Sequence, residues 1–158
     1  MIIKEIKDED FINYKKPSMF IGFPTCSWKC EKECGVRCCQ NGALASMKNF
    51  DVPVRDISDR YLSNLITSAI VCGGLEPLDS FVDLQELISS IRESGCLDDI
   101  VIYTGYNPQE IDNKISILKK YKNIIIKFGR FIPNQNPHFD EVLGVNLASD
   151  NQYAVKIS

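Results

Sequence analysis

No apolar run in this chain approaches the roughly 20 residues needed to cross a bilayer, and its start, MIIKEIKDED, is too acidic to read as a secretory signal. A cytoplasmic protein with no membrane role is expected. There is no basic excess: 18 lysines and arginines against 21 aspartates and glutamates leave a net charge of -3 and a pI near 5.2. Nucleic acid is therefore not an expected direct ligand. His138 is the only histidine, which argues against histidine triads and multi-histidine metal sites, and it is assigned no role. No internal repeat, low-complexity stretch or Pro/Gly/Ser-rich linker divides the 158 residues, so a single domain, 1–158, is expected. That length buries roughly two-thirds of the unfolded surface, enough for a core without covalent staples.

What the chain has is cysteine. Of seven, Cys26, Cys30, Cys34, Cys38 and Cys39 fall within fourteen residues, in a loop spanning 24–41, whereas Cys72 and Cys96 lie far away. In a reducing compartment such a cluster reads as a metal or redox site rather than a disulfide framework. Thiolates are soft donors that suit iron–sulfur clusters, zinc or copper. Structural zinc favours Cys-x-x-Cys knuckles, and none occurs here; the spacing is Cys-x-x-x-Cys with one Cys-Cys doublet.

Around this loop the pattern alternates between strand and helix. Ser18–Phe23 reads as a buried strand that delivers Cys26 just beyond its end. Leu62, Leu65, Ile66 and Ala69 recur at helical spacing, predicting a helix over 59–69 capped by Ser58. A strand over 69–72 is expected to stop at Gly73 and Gly74, whose missing Cβ atoms allow close approach to a ligand. Leu84, Leu87, Ile88 and Ile91 predict a second helix ending at Gly95. Strand 100–103 is followed by Asn107-Pro108-Gln109-Glu110, a helix-start signature. Strand 124–126 and a final edge strand over 153–157 complete the series. The implied fold class is α/β, a partial, open β/α barrel with a mainly parallel sheet, whose ligands gather at the carboxyl ends of the strands. Gly73-Gly74 and Thr104-Gly105-Tyr106 would meet the cysteine loop at that edge.

Strand, then Cys26-Ser-Trp-Lys-Cys30, then Cys39-Gln40-Asn41, then Gly73-Gly74-Leu75-Glu76-Pro77, resembles the radical S-adenosylmethionine superfamily. The likeness is greatest to the small activating enzymes of anaerobic ribonucleotide reductase. Tyr103-Thr104-Gly105-Tyr106, Phe128-Gly129-Arg130-Phe131 and Asn151-Gln152 resemble stretches of that group at similar distances, so the resemblance runs from about Phe20 onward. The family's third cysteine follows the second after two residues, and here none does. Cys34, Cys38 and Cys39 are the alternatives; Cys39 is taken because Gln40-Asn41 after it resembles the asparagine of the family pattern.

The resemblance implies a [4Fe-4S] cluster held by Cys26, Cys30 and Cys39, with S-adenosyl-L-methionine completing the open iron and yielding a 5′-deoxyadenosyl radical on reductive cleavage. It implies that Gly73, Gly74 and Glu76 meet the methionine end, with Glu76 accepting from its ammonium group, and that Thr104 and Tyr106 line the adenosine pocket. Trp28 is a candidate cover for the cluster. A glycyl-radical enzyme such as anaerobic ribonucleotide reductase is the implied partner, and a flavodoxin- or ferredoxin-type protein the implied electron donor. Two departures bear on this: Leu75 interrupts the usual Gly-Gly-Glu-Pro, and the Gly-Pro-Gly stretch of many activases is missing before Cys26. The contrasting readings are a radical S-adenosylmethionine enzyme acting on another peptide or a small molecule, and a non-enzymatic zinc or electron-transfer module.

Overall fold

Side chains that alternate between two buried faces of one sheet decide the architecture. The computed structural model describes residues 1–158. In chain order it holds β1 (Ile2–Ile3), β2 (Glu5–Asp10), β3 (Ser18–Phe23), α1 (Lys29–Cys34), α2 (Gly42–Ala45), β4 (Phe50–Asp51), α3 (Val54–Ser63), β5 (Ala69–Gly74), α4 (Phe81–Glu93), β6 (Asp99–Tyr103), α5 (Asp112–Leu118), β7 (Ile124–Phe128), β8 (His138–Asp140), β9 (Val145–Leu147) and β10 (Tyr153–Lys156). Short 3₁₀ turns over Pro77–Ser80 and Pro108–Glu110 precede α4 and α5.

The main sheet runs β10-β7-β6-β5-β3-β2. Its four central strands are parallel, while β2 and β10 close its two sides in antiparallel register. Parallel neighbours need crossovers, and crossovers put cover on the sheet, so the central strands read as nearly continuous apolar runs. Met19, Ile21, Phe23, Ile70, Cys72, Ile100, Ile102, Ile124 and Ile126 face the side covered by Ile57 and Tyr61 of α3 and by Leu84, Leu87, Ile88 and Ile91 of α4. Val71, Val101 and Ile125 face the other way, against Tyr14, Leu143 and Leu147. Each fully buried aliphatic side chain contributes about 1.5–3 kcal/mol. No helix is long and apolar enough to cross a membrane.

Several expectations shift. The helix expected over 59–69 runs instead from Val54 to Ser63, with Pro53 before it and Ser58 buried in its middle rather than capping it. Its inward face is Val54, Ile57, Ser58 and Tyr61; Leu65 and Ile66, read as part of the apolar stripe, are exposed beyond the helix end. The 3–4 periodicity continues past Asn64, but the backbone there is already extended. Strand β5 includes Gly73 and Gly74 instead of stopping before them, because both pair with β3. Pro108 opens a 3₁₀ turn, and the α-helix begins only at Asp112.

Candidate functional site

The carboxyl ends of β3, β5, β6 and β7 open onto one cavity of about 470 Å³. Beyond Phe23 the cysteine loop is stitched to the end of β5. The Leu75 N–H donates to the Phe23 carbonyl at 3.3 Å, and the Glu76 N–H to that of Thr25 at 2.8 Å. Farther along, the Thr25 and Ser80 hydroxyls lie 2.8 Å apart, and the Ser27 N–H donates to Asp79 Oδ2 at 2.7 Å. Trp28 begins α1 in a left-handed conformation, φ 57°, and its N–H donates to Cys26 Sγ at 3.2 Å. A left-handed tryptophan costs energy that neighbouring contacts must offset, and such residues cluster at functional sites. Trp28 is half-buried but does not line the cavity.

Helix α1 lasts six residues and ends at Cys34, capped by left-handed Gly35, after which the chain leads to Cys38 and Cys39. The Cys39 N–H donates to Glu31 Oε1 at 3.3 Å, and the Asn41 side-chain amide donates to the Gly74 carbonyl at 2.5 Å. Charged side chains strap the same region to the far side of the sheet. Lys29 donates to Glu110 at 3.0 Å and lies over the Tyr106 ring, 4.5 Å from its centre. Arg130 bridges Glu110 Oε1 at 2.5 Å and Glu33 at 3.2 Å. This ion pairing holds the Glu110 carboxyl well below its usual range, near 2.

Cys26, Cys30 and Cys39 all line the cavity; Cys34 and Cys38 do not. Burial pushes the Cys26 thiol up to about 11, and burial, with a smaller repulsion from Cys39, raises that of Cys30. Without a cation the Cys26 and Cys30 sulfurs keep their protons, so a metal must displace them. No three histidine, cysteine, aspartate or glutamate side chains converge closely enough to hold a single metal ion. Three soft thiol donors around one cavity are a ligand set that suits an iron–sulfur cluster. Cys72 is fully buried in the core and Cys96 lies at its margin, and neither lines the cavity.

The other expected residues share the cavity. Glu76 is only 5% exposed; its Oε1 accepts from the Leu78 N–H at 3.1 Å and its Oε2 from the Gly105 N–H at 2.9 Å. Burial raises its carboxyl to about 7, opposed by the hydrogen bonds from Gly105, Thr104 and Leu78. Both oxygens are engaged, yet a carboxylate offers about four acceptor positions, so the cavity side can still accept a donor. Thr104 is buried, and its hydroxyl accepts from the Tyr106 N–H at 3.0 Å. The Tyr106 hydroxyl donates to Asp79 Oδ1 at 2.6 Å and lies 3.2 Å from the Ser27 hydroxyl.

Gly73 and Gly74 line the cavity for a reason the sequence did not disclose. Gly74 has φ +83°, and a Cβ there would come within 2.8 Å of Gly22 Cα and 2.9 Å of the Phe23 nitrogen. Its first obligation is to the backbone of β3, and only then to any ligand. At Gly73 a Cβ would meet the Phe20 ring at 3.0 Å.

Among the cavity residues that no sequence motif marked is a buried cation. Lys127, in the otherwise apolar β7, is 6% exposed and donates to the Gly129 carbonyl at 2.8 Å. Burial lowers its ammonium to about 8, against the opposing pull of the Glu76 carboxylate. A lysine breaking an isoleucine run was the available signal, since lysine is almost never fully buried without a partner.

Residues 18–152 match the model of a family described as a 4Fe-4S single cluster domain. No curated protein matches the chain.

Proposed function

Because the chain belongs to the 4Fe-4S single cluster domain family and is an iron–sulfur protein, we propose that it is a radical S-adenosylmethionine enzyme, activating a glycyl-radical enzyme such as anaerobic ribonucleotide reductase. One juxtaposition carries this reading: Cys26, Cys30 and Cys39 share a cavity with Gly73, Gly74, Glu76, Thr104 and Tyr106. Three thiolates would hold a [4Fe-4S] cluster, which when bound supplies the electron for reductive cleavage of S-adenosyl-L-methionine to methionine and a 5′-deoxyadenosyl radical.

The chain's own residues bind, orient and shield. Glu76, held by two backbone N–H groups, offers its remaining lone pairs to the ammonium of the methionine end, a charge-assisted bond. Buried Lys127 keeps a positive charge within reach of that carboxylate, so the cavity presents both signs to a zwitterion. Thr104 and Tyr106, at the end of β6, offer a hydroxyl and a ring to the adenosine end. The hydrogen bonds from the Glu76 N–H to the Thr25 carbonyl and from the Asn41 amide to the Gly74 carbonyl hold the two halves of the site in register. Ile12, exposed on the cavity wall, favours a macromolecular substrate over a fully enclosed one. A flavodoxin- or ferredoxin-type donor would supply the electron.

Anaerobic reconstitution with iron and sulfide, followed by reduction in the presence of S-adenosyl-L-methionine, tests this. The expected result is about four irons and four sulfides per chain, with release of 5′-deoxyadenosine and methionine. A brown, fully loaded protein that releases neither would reduce the role to electron transfer. A candidate partner is then tested by the glycyl-radical doublet in its electron paramagnetic resonance spectrum.

A further inference from the structure

Cys34 and Cys38 stand together and do not line the cavity that Cys26, Cys30 and Cys39 share, although Cys30 and Cys34 border one smaller cleft beside Arg130. Their sulfurs are 3.0 Å apart, the one sulfur–sulfur hydrogen bond among seven free thiols. The local fold produces the contact. Helix α1 ends on Cys34; Gly35, at φ +70°, turns the chain over; and Cys38 returns above the last turn of the helix. The Cys34 sulfur also hydrogen-bonds the Val36 carbonyl at 3.2 Å, which fixes it on the inside of that turn. Both residues are half-buried, within reach of a small reagent.

We propose that Cys34 and Cys38 form a thiol–disulfide exchange site that closes while Cys26, Cys30 and Cys39 remain free to hold the cluster. The pair must approach by only about 1 Å to reach a disulfide bond length. The co-reactant is a small-molecule disulfide. One protein sulfur attacks it and releases the first small thiol; the other displaces the second, forming the protein S–S bond. Two electrons and two protons leave the protein thiols, and the reagent's S–S bond is reduced to two thiols. The bridge would pin the excursion between Cys30 and Cys39 without using the sulfur of either. This inference rests on Cys39, not Cys34 or Cys38, being the third cluster ligand.

Trypsin cleaves after Lys32, Arg37 and Lys48, so Cys34 and Cys38 separate onto the peptides 33–37 and 38–48. Iron-loaded protein is incubated anaerobically with oxidised glutathione, denatured with an alkylating agent, digested and weighed by mass spectrometry. The expected product is the two peptides linked, two hydrogens lighter than their sum, with one alkylated cysteine for Cys39 and iron content unchanged. The linked species should vanish in Cys38→Ala, which keeps its iron. Absence of the linked peptides from the loaded wild-type protein, or their persistence in Cys38→Ala together with iron loss from the wild type, overturns the proposal. Iron loss in untreated Cys34→Ala or Cys38→Ala instead overturns the ligand assignment beneath it.

Discussion

The Asn41 side-chain amide donates a 2.5 Å hydrogen bond to the carbonyl of Gly74, so the residue two beyond Cys39 is fastened to the strand end across the cavity. Removing that bond frees the last part of the loop rather than the core. Asn41→Ala is expected to cost about 1 kcal/mol, lowering the unfolding midpoint by about 2–4 °C in a chain of this size, and to reduce iron retained against a chelator. Calorimetry and iron analysis on the same preparation check both; an unchanged iron half-life would mean the tie serves the sheet alone.

Cys26→Ala, Cys30→Ala and Cys39→Ala are each expected to abolish iron binding, whereas Cys34→Ala, Cys38→Ala, Cys72→Ala and Cys96→Ala retain it. Cys72→Ala should still lower stability, because Cys72 is fully buried in the helix-covered core and its removal leaves a small void. Iron and sulfide content after anaerobic reconstitution decides the set. A Cys39→Ala protein that loads normally beside a Cys34→Ala protein that does not would reverse the assignment.

Folded Glu76 keeps its proton to about pH 7 because it is buried, whereas an unfolded glutamate releases it near 4.5. Between those values the native protein binds more protons than the unfolded chain, so this group makes stability fall as pH rises through the window. The gap corresponds to about 3 kcal/mol, fully felt above pH 7. Glu76→Gln should erase this slope, which urea unfolding of the metal-free, reduced protein at pH 5 and pH 8 measures against wild type. Parallel behaviour of the two proteins would show that Glu76 titrates normally.

Gly74→Ala is expected to destabilise the protein by at least about 1–3 kcal/mol, since the new Cβ meets the backbone of β3 in a left-handed conformation. Gly73→Ala should cost less, because it meets an aromatic ring edge at Phe20 that can shift. Denaturant unfolding compares the two; equal losses would mean that β3 yields at Gly22 as readily as the Phe20 ring does.

The legible parts of this molecule were those where local pattern and tertiary need coincide. Ser18–Phe23 and Ile124–Ile126 read as buried strands because both of their faces are covered. The Leu84–Ile91 stripe read as a helix because one face of α4 is. The α3 boundaries failed for the opposite reason: Leu62, Leu65 and Ile66 carry the right spacing but lie exposed at or beyond its end. Strand β2, EIKDED, was illegible, because an edge strand with a charged outer row carries little apolar signal. At the site, the cysteines and the Gly-Gly turn announced themselves by residue type. Lys127 and the Glu110–Arg130–Glu33 strap did not, since their meaning arises only when β7 and the cysteine loop meet.

The link between β3 and β5 spans 24–68, about twice the length of the 75–98 link from β5 to β6 or the 104–123 link from β6 to β7, although all three join neighbouring parallel strands. Every one of the five clustered cysteines lies inside that longest crossover. Pairing of β3 with β5 therefore carries the largest sequence separation among the parallel pairings and the largest closure entropy. During folding the β5–β6–β7 unit should acquire protection first, and the thiols should come under the sheet edge only as β3 docks. Pulsed hydrogen exchange would read this order directly, with the amides of Ile100–Ile102 protected before those of Met19–Ile21. The cysteine loop would then stay open until late, an interval in which all five thiols are accessible before the fold closes over them.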